Sequence, residues 1–259
     1  MIGRRLKNAP WLIPALFWLG AFLAWEAGAQ AGLVSPVFFP APSAILRALA
    51  QMIASGRMLV NLGFSLYRLA LGLVLGGSLG LLLGLLMGWS RLARTIAGPA
   101  VAAIHPMPKL ALLPLALILF GIGEESKVVL IALTAFFPVL VNSMTGGLQI
   151  DHQTWEVAQH YGVKGWLLWR RVLWPGALPL VLTGLQLALN SALMVTVAVE
   201  LVTAQQGLGT VIWLAWQTLR TEEMYATLVV IALLGLVSNF ILNSIARRLM
   251  PWQRKNEQT

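Results

Sequence analysis

The sequence predicts an all-α, polytopic membrane protein with six transmembrane helices. Three observations carry this. The chain of 259 residues is 58% hydrophobic and only 10% charged, whereas a soluble domain carries about 25% charged residues. Six stretches approach the roughly 20 apolar residues that a helix needs to cross the hydrocarbon core, at about 11–29, 65–88, 97–120, 127–147, 177–203 and 225–246. The third observation is that lysines and arginines collect in alternate connections, as a multi-pass chain requires. Eleven tryptophans suit the headgroup belt. A net charge of +9 would be compatible with nucleic acid, but the basic residues are scattered between apolar runs and form no solvated face. With no cysteine, disulfides, thiolate catalysis and cysteine metal sites are excluded.

The first stretch opens with Arg4, Arg5 and Lys7 and ends near "AGA", which resembles a cleavable leader. Its apolar part is long for a leader, and Trp25 and Glu26 crowd the cleavage region, so an uncleaved helix is expected with Glu26 at the outer interface. "PSAILRALAQMIASG" has helical periodicity and is expected to lie along the outer surface. In the second span Gly72, Gly76, Gly80, Gly84 and Gly88 recur every four residues. Such a ridge lets helix backbones approach closely in lipid; packing is favoured over a sliding surface for gating. "GGSLG" within it has the spacing of a nucleophile elbow, but an apolar helix supplies none of the strand–turn–helix context, and the histidines are only His105, His152 and His160.

Pro99, Pro106, Pro108 and Pro114 fall inside the third stretch. Broken backbone survives at membrane depth only where protein or water satisfies it, so this span is expected to face the bundle interior. His105 and Lys109 flank the break, where transporters place solute groups; Lys109 either meets an anionic solute or, with equal weight, snorkels or satisfies a freed carbonyl. In the fifth span Asn190, Ser191 and Thr196 are candidates for the pathway, against the plainer reading that polar residues join helices; Glu200, near its outer end, is a pathway candidate as a gate residue, against a structural partner for a neighbouring subunit. The segment 207–220 is too short to span and is expected to be re-entrant or interfacial.

With the N-terminus in the cytoplasm, the inner segments hold Arg4, Arg5, Lys7, Arg91, Arg94, Lys164, Arg170, Arg171, Arg247, Arg248, Arg254 and Lys255. The outer ones hold Arg47, Arg57, Arg68, Lys127 and Arg220. Both termini are therefore expected inside, as is "EVAQHYGVKGWLLWRRVLWPGALP" between spans four and five. There Thr154 is placed as N-cap, Glu156 in the first turn, Gly162 as the left-handed stop and Lys164 to Trp174 as a second helix at the interface. Pro175 and Pro179 are taken to mark the turn into span five.

Glu156, Val157, Ala158, Gly162, Val172 and Pro175 have the spacing of the "EAA" loop of ABC-importer permeases, which the insert resembles. Val157 stands for the first alanine, Val172 for isoleucine and Trp174 for leucine. The stretches "SLYRLALGLVLGGSLGLLLGLLMG", "PMPKLALLPLALILFGIGEESKVVLIALTAFFPVLVNSMTGG", "VAVELVTAQQGLG" and "RRLMPW" are similar to the nitrate/sulfonate/taurine branch of those permeases. The resemblance implies a type I ABC-importer permease fold in a bacterial inner membrane, a single permease domain over 1–259 with a transport core of about 62–248 and a coupling loop of about 150–175. It further implies a second permease copy, a dimer of ATPase subunits that binds the ATP and Mg, a periplasmic binding protein and a small anionic solute. The chain itself carries no G-x-x-x-x-G-K-[ST] loop, so no cofactor and no catalysis are expected in it. A self-sufficient secondary transporter or channel is the rival reading, though neither inverted repeats nor a relay of membrane carboxylates is evident.

Overall fold

The computed structural model describes residues 12–203 and 205–250. Expectations placed on Arg4, Arg5, Lys7, Arg254, Lys255 and the end of "RRLMPW" lie outside the described residues. Helices follow in the order α1 (Leu12–Gln30), α2 (Pro42–Ala54), α3 (Arg57–Trp89), α4 (Arg91–Ile104), a 3₁₀ turn (Lys109–Leu112), α5 (Leu113–Phe120), α6 (Glu124–Leu148), α7 (His152–His160), α8 (Gly165–Leu168), a π turn (Trp169–Leu173), α9 (Trp174–Thr203), α10 (Leu208–Gln217) and α11 (Thr221–Leu249). No strand occurs among the described residues. Among the described residues four helical stretches are long and apolar enough to cross a membrane: α3, α6, the run Gly165–Thr203 and α11; α4 with α5 forms a fifth if the bent pair counts as one span. Helix α1, at 19 residues, would extend about 28 Å. Its apolar side chains from Ile13 to Leu23 are largely exposed.

The core is α3, α6 and α9, and glycine sets its spacing. A Cβ at Gly76 would overlap the Ala132 carbonyl, one at Gly80 the Phe136 carbonyl, and one at Gly84 the Leu140 carbonyl. At Gly72 it would meet the Ile131 side chain, and at Gly88 it would lie 3.0 Å from the Met144 carbonyl oxygen. The four-residue row thus lies along one face of α3 and brings its backbone against α6, the close approach that small residues permit in lipid. Gly184 on α9 meets α6 in the same way at Pro138 and Asn142. Leu69, Ile131, Ala135, Val139, Ala188, Leu189 and Ala192 fill the space between the three helices.

The third expected span departs from the sequence reading. It bends by 90° between α4 and α5, and α4 buries no residue within the chain. In α5 Leu113 and Ala116 are buried against Leu130 and Val199, with Leu117 packed partly buried beside them. The freed backbone needs no surrounding helices because Lys109 Nζ donates to the carbonyls of Ile104, His105 and Met107 at 2.9, 2.6 and 2.8 Å. A long cationic side chain does what burial was expected to do.

At the end of the bundle where α3 begins, α2 and α10 pack with α3 and α11 through Ile45, Met52, Met58, Leu208, Val211 and Ala226. Glu26 fixes the entry to α2: its carboxylate accepts the Ser43 amide at 3.0 Å and the Ser43 hydroxyl at 2.6 Å. It supplies from another helix the capping group that Ala41 lacks.

Candidate functional site

The elbow at the opposite end is built from α7, a glycine stop and the continuous run into α9. Helix α7 begins at His152, two residues before the expected cap; the Asp151 carboxylate accepts the Gln153 amide at 3.3 Å, and Thr154 lies within the helix. An acidic side chain just ahead of the first turn matches the helix dipole better than a hydroxyl inside it. Gly162 has φ +66°, and the Val163 amide donates to the Ala158 carbonyl at 2.9 Å, the six-to-one bond of a Schellman stop. Ala158 is buried beneath the elbow, while Glu156, Val157, His160 and Tyr161 are exposed.

Beyond Gly165 the chain does not turn at its prolines. Residues Gly165–Thr203 form one helical run of 39 residues, with Val172 half-buried in the π turn. The Trp174 amide reaches the Trp169 carbonyl, five residues back. This wider turn precedes Pro175, which has no amide to give, so the missing bond is absorbed without ending the helix. Trp166 stacks on Trp169 with ring centroids 4.7 Å apart, and Trp169 on Trp174 at 5.8 Å. Arg170 and Arg171 are exposed beside them.

The other polar centre lies at the far end of the same helical run. Glu200 accepts from the Ser65 hydroxyl at 2.8 and 2.9 Å, from Arg68 at 2.8 Å and from the Gly209 amide at 3.0 Å. Arg68 also forks onto Glu124 at 2.5 and 2.8 Å and donates to the Gln206 carbonyl at 2.6 Å. Lys127 pairs with Glu124 at 2.9 Å. Two cations and two carboxylates balance, which lets Arg68, Lys127 and Glu200 be buried where a single charge would be costly, while Glu124 keeps one side toward solvent. Gly207 completes the centre: φ is +130°, and a Cβ there would overlap the Glu200 carboxylate. Its amide donates to Asn61 Oδ1 at 2.8 Å.

Sequence reasoning named Glu200 but missed its partners, counting Arg68 and Lys127 as outer-segment charges. Both are buried, and Arg68 lies a full three turns inside α3. The available signal was an arginine directly ahead of an uncharged run of about 20 residues, a place where an ionisable group needs a partner.

The remaining pathway candidates are dispersed. His105 lies at the α4 break, its ring 5.7 Å from that of Phe137, and Lys109 Nζ lies 4.6 Å from the same ring centre. Thr196 is fully buried and its hydroxyl closes on the Ala192 carbonyl at 2.8 Å, so it lines no open path in this conformation. The Ser191 hydroxyl closes on Leu187 at 2.9 Å. Asn190 is exposed and accepts from Asn239 of α11 at 2.8 Å. No cluster of three metal-ligating side chains occurs among the described residues.

Long apolar helices, a glycine-spaced core and polar groups at both ends define a multi-pass membrane protein. The sequence matches the family described as binding-protein-dependent transport system inner membrane component over residues 76–255, and the chain belongs to that family. Among similar proteins, a Bacillus subtilis (strain 168) chain assigned as an aliphatic sulfonates transport permease protein, SsuC, is 33% identical over 246 residues, covering 95% of this chain and 88% of the relative. The taurine transport system permease protein TauC of Escherichia coli (strain K12) is 36% identical over 234 residues, 88% of this chain and 85% of that one. The nitrate import permease protein NrtB of Leptolyngbya laminosa is 29% identical over 191 residues, 74% and 68% of the two chains. The chain is thus a non-catalytic permease component of the inner membrane, in the sulfonate, taurine and nitrate branch of ABC permeases.

Proposed function

We propose that this chain forms the translocation pathway of an ATP-driven importer for a small anion of the sulfonate, taurine or nitrate type. A periplasmic binding protein delivers the solute, two copies of the chain enclose the path, and a separate pair of ATPase subunits binds ATP and Mg. The single observation that carries the reading is the elbow. It projects a compact, Gly162-terminated helix with Val157 and Tyr161 exposed, and the segment that follows the glycine stop, from Gly165, runs through the π turn into a membrane helix whose other end holds Glu200. A rigid projection of this kind suits docking in a partner's groove, and its continuity supports transmission of a partner's motion into the bilayer.

Charge distribution supports an inward-facing elbow. Arg91, Arg94, Lys164, Arg170, Arg171, Arg247 and Arg248 lie at the elbow end. At the opposite end the carboxylates Glu26, Glu124, Glu125, Glu200, Glu222 and Glu223 accompany Arg47, Arg57, Arg68, Lys127 and Arg220. An excess of lysine and arginine marks the cytoplasmic side.

The test is ATP hydrolysis by the complex reconstituted with its ATPase and binding protein, alongside Glu156→Ala and Gly162→Pro. Stimulated hydrolysis is expected to collapse in both variants while the membrane domain elutes as a folded species. A chain that binds no ATPase and passes solute unaided would instead be a secondary transporter or channel.

A further inference from the structure

One face of α9 is left uncovered. Thr183, Leu187, Asn190 and Met194 recur at helical spacing and are exposed, while Ala188, Leu189 and Ala192 are buried against α3 and α6. The Thr183 hydroxyl is occupied by the Pro179 carbonyl at 3.1 Å. Polar capacity on this face therefore rests with Asn190. Its Oδ1 accepts from Asn239 Nδ2 at 2.8 Å, and that nitrogen also donates to the Gly235 carbonyl at 2.9 Å. The Asn190 amide nitrogen has no partner among the described residues, and Asn239 Oδ1 is buried without one. Asn190 stands near the middle of α9 and Asn239 near the middle of α11. An open amide at that depth is unfavourable against lipid tails, so the face requires water, a polar group of the second copy or a polar ligand.

Cations do not compete for that ligand. Arg68 and Lys127 are buried and neutralised by Glu124 and Glu200. Lys109 directs its ammonium at three backbone carbonyls. We propose, resting on the importer reading above, that Asn190 is a solute-contacting residue. Its Nδ2–H groups donate to the oxygens of the transported oxyanion midway across the membrane. Asn239 is its positioning residue, engaging Oδ1 so that the nitrogen faces outward. A neutral donor suits the task. An unpaired cation in a low-dielectric path would hold an anion in a deep electrostatic well, whereas transport needs binding weak enough for release.

The experiment uses the complete complex with its ATPase and binding protein in proteoliposomes, with labelled taurine, methanesulfonate and nitrate as probes. Asn190→Leu keeps the size and removes the donors; Asn190→Asp keeps the acceptor and adds a repelling charge. For the anion that the wild type carries, uptake per ATP hydrolysed is expected to fall about tenfold in Asn190→Leu, the scale of a lost hydrogen bond to a charged group. It is expected to fall further in Asn190→Asp, with stimulated hydrolysis within about twofold of wild type in both, because neither variant touches the coupling elbow. Asn239→Leu is expected to raise the half-saturating solute concentration while preserving turnover. Wild-type uptake per ATP in Asn190→Leu would overturn the proposal. So would a parallel loss of hydrolysis and uptake, which marks a merely structural residue. A wild-type complex that hydrolyses ATP on stimulation yet carries none of the three probes would overturn the anion reading itself, and this assignment with it.

Discussion

Arg68 and Glu200 stand 132 residues apart in sequence and 2.8 Å apart in space, with side chains 1% and 0% exposed. The pair ties α3 to α9 where neither has solvent to fall back on. Removing Glu200 leaves two cations to share the Glu124 carboxylate, so the cluster carries an unbalanced charge. Glu200→Ala is therefore expected to destabilise the chain by about 3–5 kcal/mol, as breaking a buried pair does. The paired change of Arg68 and Glu200 to methionine is expected to cost less than the sum of the two single changes. Thermal unfolding of the four variants in detergent measures both quantities. Equal and additive losses would show that the two side chains act separately.

The glycine row makes a sharper demand on size than on chemistry. Gly76→Ala drives a methyl into the Ala132 carbonyl and is expected to cost about 1–3 kcal/mol by overpacking. Gly63 lies on the same helix with nothing within 4 Å of a built Cβ. Gly63→Ala is accordingly expected to be neutral or to stabilise by up to about 1 kcal/mol, through helix propensity alone. Melting temperatures of the two variants should move in opposite directions, or one should stay fixed.

Lys109→Met tests whether the α4 break depends on its ammonium. Three carbonyls lose their donor at once, with an expected loss of about 1–3 kcal/mol. The half-saturating solute concentration is expected to stay unchanged. A shift in that concentration at constant stability would return Lys109 to the solute.

Gly162→Ala forces a side chain into the left-handed region at φ +66°, at a strain of about 1–2 kcal/mol. Space is not the obstacle, since nothing lies within 4 Å of a built Cβ. The strain falls on the elbow alone, so proteolytic nicking near 160–165 is expected to accelerate while the global melting point holds.

What could be read from the sequence was whatever leaves a local or periodic trace. Composition and apolar runs identified an all-α membrane chain, Gly162 signalled its own left-handed turn, and the four-residue glycine spacing marked a packing face. The misses share a cause: they depend on partners distant in sequence. Arg68 looked like a loop charge because Glu124 and Glu200 are far along the chain. The third span looked buried because the donor that rescues its break, Lys109, was weighed equally as a ligand. Pro175 looked like a corner because a π turn, which absorbs the missing amide, has no residue signature of its own. Asn190 was noticed, but its orientation is set by Asn239, on a helix with no special pattern.

The run from Gly165 to Thr203 has a mechanical consequence. At 1.5 Å per residue, 39 residues make a rod of about 58 Å, reaching from the elbow to the Glu200 end. A rod of that length links the position of one tip to that of the other. Its one compliant washer is the π turn at Trp169–Leu173, beside the stacked indoles. On the importer reading, small displacements of the elbow would be taken up there as a change of winding. On the same reading, larger ones exceed that slack and reach the carboxylate that grips Arg68.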